Sequence, residues 1–288
     1  MGGSDDADRD GPDRDDARAA DYGLFGPGSV TWRLMTEPVM WVAGTRALYL
    51  QALHPRVMQG TWQNSAFARS GEAWGRFVRT IEFVETRTYG TLADVERAGR
   101  RLRRIHASLT GVDDDGRSFR LDQPELLLWV HCAEVSSLAD IAGRCGMGLR
   151  PGELDAFVAE QRRSAAVVGL DPASAPGSMA ELEAYYRRMR PGLRACTEAR
   201  RALRLSFTPR LPLPLTALRL VVPPVNALAY ATLPGWARQL YGTPGSQLTD
   251  GAATLALRAA YQASTRIPPR LLYVPGAESA RAQMRDAA

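Results

Sequence analysis

TLADVERAGRRLRRIHASL, residues 91–109, has the period of an amphipathic helix. Thr91 with Asp94 three residues later makes a capping signal, in which a side-chain oxygen takes up one of the unpaired amides of the first turn. Leu92, Val95, Ala98, Leu102, Ile105 and Leu109 recur at helical spacing and form the apolar face. Arg97, Arg100, Arg101, Arg103 and Arg104 cover much of the remainder. His106 comes four residues after Leu102 and three before Leu109, so it shares the apolar side. The helix is expected to end before Gly111.

Working outward, the same period recurs. Ser29 caps a helix that carries Val30, Leu34, Val39, Trp41, Val42, Leu48 and Leu50 toward Leu53 and breaks or kinks near Pro38. Pro55 disfavours the α conformation at His54, which places this histidine at a junction with a new helix starting at Pro55. Gly71-Glu72-Ala73-Trp74 opens a segment with Phe77, Val78, Ile81 and Val84 on one side and Arg76, Arg79, Thr80 and Phe83 stacked beside them. Gly111 to Asp122 reads as a turn or small hairpin; it lacks the spacing and terminal Glu of a calcium loop. Pro124 opens a helix through Leu127, Val130 and Val135, with His131 on its dry side. Further helices are expected near Pro151 to Gly169, Met179 to Leu203, Val225 to Tyr241 and Gln247 to Thr265, with a proline-rich stretch from Pro209 to Pro224. The fold class is all-α, in one multi-helix domain with a small hairpin near 112–121.

Composition limits the alternatives. The chain has 288 residues and 45% hydrophobic content, enough for one large core. Its apolar stretch Leu211 to Leu233 is interrupted by Pro212, Pro214, Arg219, Pro223 and Pro224, which argues against a membrane span and leaves peripheral membrane contact as the expectation. The first 23 residues lack the basic start and apolar run of a secretory signal, so a cytoplasmic location is expected. Cys132, Cys145 and Cys196 form no Cys-x-x-Cys pair and read as buried thiols. Residues 1–22 hold eight Asp and three Arg, whereas the whole chain has a net charge of +5 and no lysine. An acidic tail over 1–24 is therefore expected to be disordered, ahead of a basic domain over 25–270 and a flexible tail over 271–288. No arginine cluster alternates with aromatics, which argues against nucleic acid as a partner. No Gly-x-Ser-x-Gly elbow accompanies the histidines, which argues against a serine hydrolase.

His54, His106 and His131 are the only histidines, each on or beside an apolar stripe. A neutral imidazole there is either a hydrogen-bonded core residue or an axial ligand to a buried metal or haem.

The order of motifs resembles a known family: Arg46 to Pro55 (RALYLQALHP), Gly60, Asn64-Ser65, Arg76-x-x-Arg79-Thr80, Arg104-Ile105-His106, and Pro124 to His131 (PELLLWVH). It is similar to the rubber oxygenases, or latex-clearing proteins, and the MpaB-type oxygenases, over roughly residues 29–245. The resemblance implies an all-helical domain with a globin-like core, bound haem b, dioxygen as co-substrate, and a small hydrophobic substrate of prenyl-like or other secondary-metabolite type. It makes His106 the metal ligand, with His131 the competitor and His54 a junction residue near the pocket. Arg76 and Arg79 would cradle haem propionates, with Arg79 and Thr80 the catalytic candidates. The chain departs from the pattern at Arg79, where rubber oxygenases have a distal lysine. An arginine stays protonated, so it would donate to dioxygen or a propionate and would not ligate iron. Asn64 stands where many relatives have a second histidine, and the acidic base proposed for rubber oxygenases has no match. A haem sensor or carrier without turnover, and a cofactor-free peripheral membrane or interaction protein using Leu211 to Val221, remain the other readings.

Overall fold

Thirteen helices and one two-stranded hairpin make up the described part of this computed structural model, which covers residues 21–64, 72–208, 213–267 and 275–287. In chain order they are α1 (Val30–Met35), α2 (Met40–Gln51), α3 (Pro55–Gln63), α4 (Glu72–Tyr89), α5 (Leu92–Ser108), β1 (Thr110–Val112), β2 (Ser118–Arg120), α6 (Pro124–Cys145), α7 (Glu153–Val167), α8 (Met179–Met189), α9 (Thr197–Phe207), α10 (Val222–Ala231), α11 (Gly235–Tyr241), α12 (Gln247–Ser264) and α13 (Pro275–Asp286). The all-α class is what the helical periods required.

The core is organised on α6. Pro124 sits in its first turn, where a missing amide hydrogen costs nothing, and Gly146 in the left-handed region (φ 76°) ends it. Leu126, Trp129, Cys132, Ala133, Val135, Leu138, Ile141 and Ala142 are all buried, so α6 is dry on nearly every side. It is long and apolar enough to cross a membrane, yet about two thirds of that stretch is covered by protein. The cover is α2 along its length, with α7 and α12 against it and α10 lying over α2 and α12.

Two buried arginines lock this packing. The Arg46 guanidinium on α2 donates to the Thr232 carbonyl (3.1 Å) and the Ser137 hydroxyl (2.9 Å) and pairs with Asp140 (3.3 Å). On α11, Arg238 donates to the Ala231 carbonyl (2.9 Å) and to Asp250 (2.7 Å). Arginine suits these places because its planar fork reaches several acceptors at once.

The helix starts behave as their caps predict. The Ser29 hydroxyl accepts from the Trp32 amide (3.1 Å), and Thr91 accepts from the Asp94 amide (3.2 Å). The break near Pro38 is complete and separates α1 from α2. In the hairpin Thr110 pairs with Arg120 and Val112 with Ser118. Gly111 lies against the Phe119 ring, where a Cβ would fall 2.6 Å from a ring carbon.

Several expectations need correction. The helix expected over Met179 to Leu203 is two helices, because Pro191 and Gly192 close a 3-10 turn after α8. The one expected over Val225 to Tyr241 is broken before Gly235 by Pro234, and its first part starts earlier, at Val222, with Pro223 and Pro224 in the opening turn. On α5, Leu92 and Ile105 are exposed although they share the apolar stripe. Cys196 is only half-buried. The flexible tail expected over 271–288 is not met where it is described: α13 docks on α4, burying Ala277 and Ala280, and Glu85 accepts from the Gly276 amide (2.8 Å). Of the acidic tail, residues 1–20 lie outside the described residues, while Asp21 to Leu24 are placed, with Asp21 accepting from the Leu92 amide (3.0 Å). The Pro209 to Pro212 part of the proline-rich stretch also lies outside them; Leu213–Leu220 is a 3-10 helix.

Replacing Arg46 with Leu would remove the cation and leave Ser137 and the Thr232 carbonyl without their donor. Loss of one partner from a buried polar network costs roughly 3 kcal/mol or more. Urea unfolding of Arg46→Leu is expected to show this drop at an unchanged slope, and an unchanged midpoint would refute the lock.

Candidate functional site

α4 and α5 pack on each other, and neither runs alongside α6 over any length; α4 reaches α6 through long side chains. The chief link is Arg87, buried on α4, whose two terminal nitrogens donate to Glu134 on α6 (2.5 and 3.2 Å) while its guanidinium lies over the Phe83 ring. Burial pushes the Glu134 carboxyl up, but the Arg87 charge and its hydrogen bonds outweigh that and hold it ionised below the usual range. The inner side of α4 carries Phe77, Val78, Ile81, Phe83 and Val84, all half-buried. These large apolar groups are less covered than the residues around α6.

His106 occupies the last turn of α5 and is half-buried. Its Nδ1 is sealed from solvent and has no hydrogen-bond partner among the described residues. Burial lowers its pKa first; Arg76 lowers it further, and Asp122 only partly opposes them. The ring is therefore neutral and keeps a lone pair. A buried polar atom with no partner costs about 1–3 kcal/mol, so it calls for an explanation.

Arg76 and Arg79 follow one another on α4 with exposed side chains. Enough protein surrounds the Arg76 guanidinium to lower its pKa, and Arg79 lowers it further. Arg76 reaches the Thr61 carbonyl of α3 at 3.5 Å, the outer limit of a hydrogen bond. Thr80 donates to the Arg76 carbonyl (3.0 Å), so its proton is spent within its own helix. Arg76 on α4 stands near enough to the end of α5 for its charge to act on His106.

The other two histidines are placed differently. His54 caps α3: its Nδ1 accepts from the Val57 amide (3.4 Å) and its ring lies 6.1 Å from that of Trp129. Burial, then Arg56, lowers its pKa to about 4. His131 is buried on α6, and among the described residues its ring makes no hydrogen bond. Its pKa is also lowered to about 4, by burial first, with Glu134 and Arg87 acting in opposite senses. The Arg87–Glu134 pair was missed in the sequence, although Glu134 lies three residues after His131 and so on a neighbouring position of the same helix.

Among the described residues no group of three His, Cys, Asp or Glu side chains is arranged to hold a metal ion. A shallow, open cleft of about 610 Å3 lies at the far end of α6, lined by Gly146, Gly148, Arg150, Leu154 and Met179; it touches none of the histidines. Asn64 ends α3 and donates to the Gly60 and Thr110 carbonyls, which ties α3 to the hairpin.

Residues 32–265 match the family described as ER-bound oxygenase mpaB/B'/Rubber oxygenase, catalytic domain. The chain belongs to this family. Oxygenase chemistry is thus the activity of the domain it carries. No curated protein and no solved structure matches the chain.

Because His54 and His131 charge near pH 4 when folded and near 6.5 when unfolded, the unfolded chain binds more protons between these values. Stability is therefore present in full above about pH 6.5 and falls as the pH drops toward 4. For buried His131 the loss is roughly 3 kcal/mol. Denaturant midpoints compared at pH 7 and pH 4.5 are expected to converge in His131→Gln relative to the unsubstituted protein; an equal loss in both would refute this placement.

Proposed function

We propose that the chain is a haem b-dependent oxygenase that acts with dioxygen on a small hydrophobic substrate of prenyl-like or other secondary-metabolite type. The observation that carries this reading is the neutral His106 ring with a sealed, unpartnered Nδ1, on a helix packed against the one that bears Arg76 and Arg79. Such a ring can serve as a metal ligand, and as the described residues hold no cluster of further protein ligands, the metal would have to bring most of its own donors, as a porphyrin does. The residues present fit that group. His106 would bind it, His131 is the competing ligand, and Arg76 and Arg79 supply two cations suited to propionate carboxylates.

Bound haem would supply the activation of dioxygen. The chain's residues do the remainder. Phe77, Val78, Ile81, Phe83 and Val84 keep water from an apolar substrate and leave it few polar atoms to pair with. Arg79 remains a permanent donor and cannot act as a base at neutral pH. Thr80 keeps only its oxygen lone pairs for a partner, since its proton goes to Arg76. His54, with one ring nitrogen taken up by the Val57 amide, holds the α2–α3 junction and would not ligate. The peripheral membrane contact expected around Leu211 to Val221 is supported by Leu220 and Val221, which are 82% and 55% exposed. A substrate dissolved in a bilayer would suit such a surface.

Protein produced with ample haem is expected to show a Soret band, to lose it on His106→Ala and to keep it on His131→Ala. A colourless protein would overturn the cofactor, and a band lost only in the His131 variant would move the ligand to α6.

A further inference from the structure

α5 carries a second feature that the proposed chemistry does not use. Arg97, Arg100, Arg101 and Arg104 lie on one face, because residues spaced by three, four and seven return to the same side of a helix. All four are exposed. Arg97 and Arg100 pair with Asp94 and Glu96 within the helix, whereas Arg101 and Arg104 have no carboxylate partner among the described residues. His106 is half a turn away from this face, so the arginines point away from the candidate site.

The first described residues, from Asp21 on, lie at the start of the same helix. The Asp21 carboxylate accepts from the Leu92 amide at the first residue of α5 (3.0 and 3.2 Å). Gly23, at φ 68°, presses against the Gly90 carbonyl, where a Cβ would fall 2.0 Å from the oxygen. Arg163 donates to the Leu24 carbonyl (2.8 Å), and Phe25 is buried. Asp21 is thus held at the N-terminal end of α5. Before it, residues 1–20 contain seven Asp and three Arg, a net charge of −4.

We propose that the acidic segment of residues 1–20 docks along the arginine face of α5 and shields it from other polyanions. Length permits this: twenty residues reach up to about 66 Å extended, and the 17 residues of α5 span about 26 Å. Each exposed pair is weak, but attachment at Asp21 makes the encounter intramolecular and raises the effective concentration of the acidic groups to the millimolar range or above. The contact is made of exposed charges, so salt dissolves it. It needs no fixed conformation of the segment, and it does not rest on the cofactor assignment.

The absence of lysine gives a direct test in the full chain. Arg101→Lys and Arg104→Lys, made separately, each introduce a single side-chain amine at an exposed position, and Arg187→Lys on α8 places one elsewhere. Treatment with a carbodiimide joins an amine only to a carboxylate in contact with it, and peptide mass spectrometry identifies the pair. At about 0.02 M salt, peptides linking Asp5 to Asp16 with position 101 or 104 are expected at roughly tenfold the yield of those linking to position 187, falling to the level of the latter at about 0.5 M salt. Equal yields at all three positions, a yield indifferent to salt, or no link at either α5 position would overturn the proposal.

Discussion

Burial of α6 is the constraint from which the rest of the architecture follows. A helix apolar on nearly all sides cannot lie at a water-facing surface, so it must be enclosed by others or by lipid. Here α2, α7 and α12 enclose it, and α10 closes over α2 and α12. The enclosing helices are themselves fixed by polar side chains that work in the interior. Arg46 joins α2 to α6 and to the end of α10, and Tyr186 on α8 donates to the Cys132 carbonyl (3.2 Å). Trp129, fully buried on α6, donates to the Gln51 carbonyl (3.1 Å) and packs on Tyr186. Lysine's point charge would satisfy fewer acceptors than these arginine forks do.

The α4–α5 pair stands apart from that enclosure. Its inner apolar residues are only half covered, and its one strong link to α6 is the Arg87–Glu134 pair. A buried ion pair is weak evidence for stability, since desolvation offsets much of the attraction. Its position between Phe83 on one helix and His131 on the other gives it a different value: it sets how far α4 stands from α6. At the other end of the same layer, burial first and then the charge of Arg76 keep the His106 imidazole uncharged. Cations that would bind carboxylates and a neutral ring that would bind a metal are mutually supporting, because each cation makes protonation of the ring less favourable.

Much of this was legible in the sequence. The cap and period of residues 91–109 located α5 nearly to the residue, the His54-Pro55 step marked the α3 junction, and Gly111 to Asp122 gave the hairpin. Those signals are local, carried by dihedral preference and by neighbours within two turns. His131 fell on the dry side of α6 as expected, although there the inference was easy, since nearly every side is dry. What could not be read depends on partners far apart in the chain. Arg46 meets Thr232, 186 residues away, and Glu134 meets Arg87, 47 residues away. The exposure of Leu92 and Ile105 shows that the apolar stripe of α5 is wider than the surface its neighbours cover. The docking of α13 escaped notice because it buries alanines, Ala277 and Ala280, which carry little hydrophobic signal. The break at Pro191-Gly192 is punctuation in the sequence that runs against a long helical period.

The central claim is that the lone nitrogen of His106 is available to a metal, and chemical replacement of that ring tests it most directly. In His106→Gly the ring is removed while the helix and the arginines of α4 remain. Added imidazole is expected to enter the space and restore the haem absorption spectrum in proportion to its concentration, whereas it should have no such effect on His131→Gly because that variant never loses the spectrum. Rescue confined to His131→Gly, or haem binding by His106→Gly that needs no imidazole, would contradict the account.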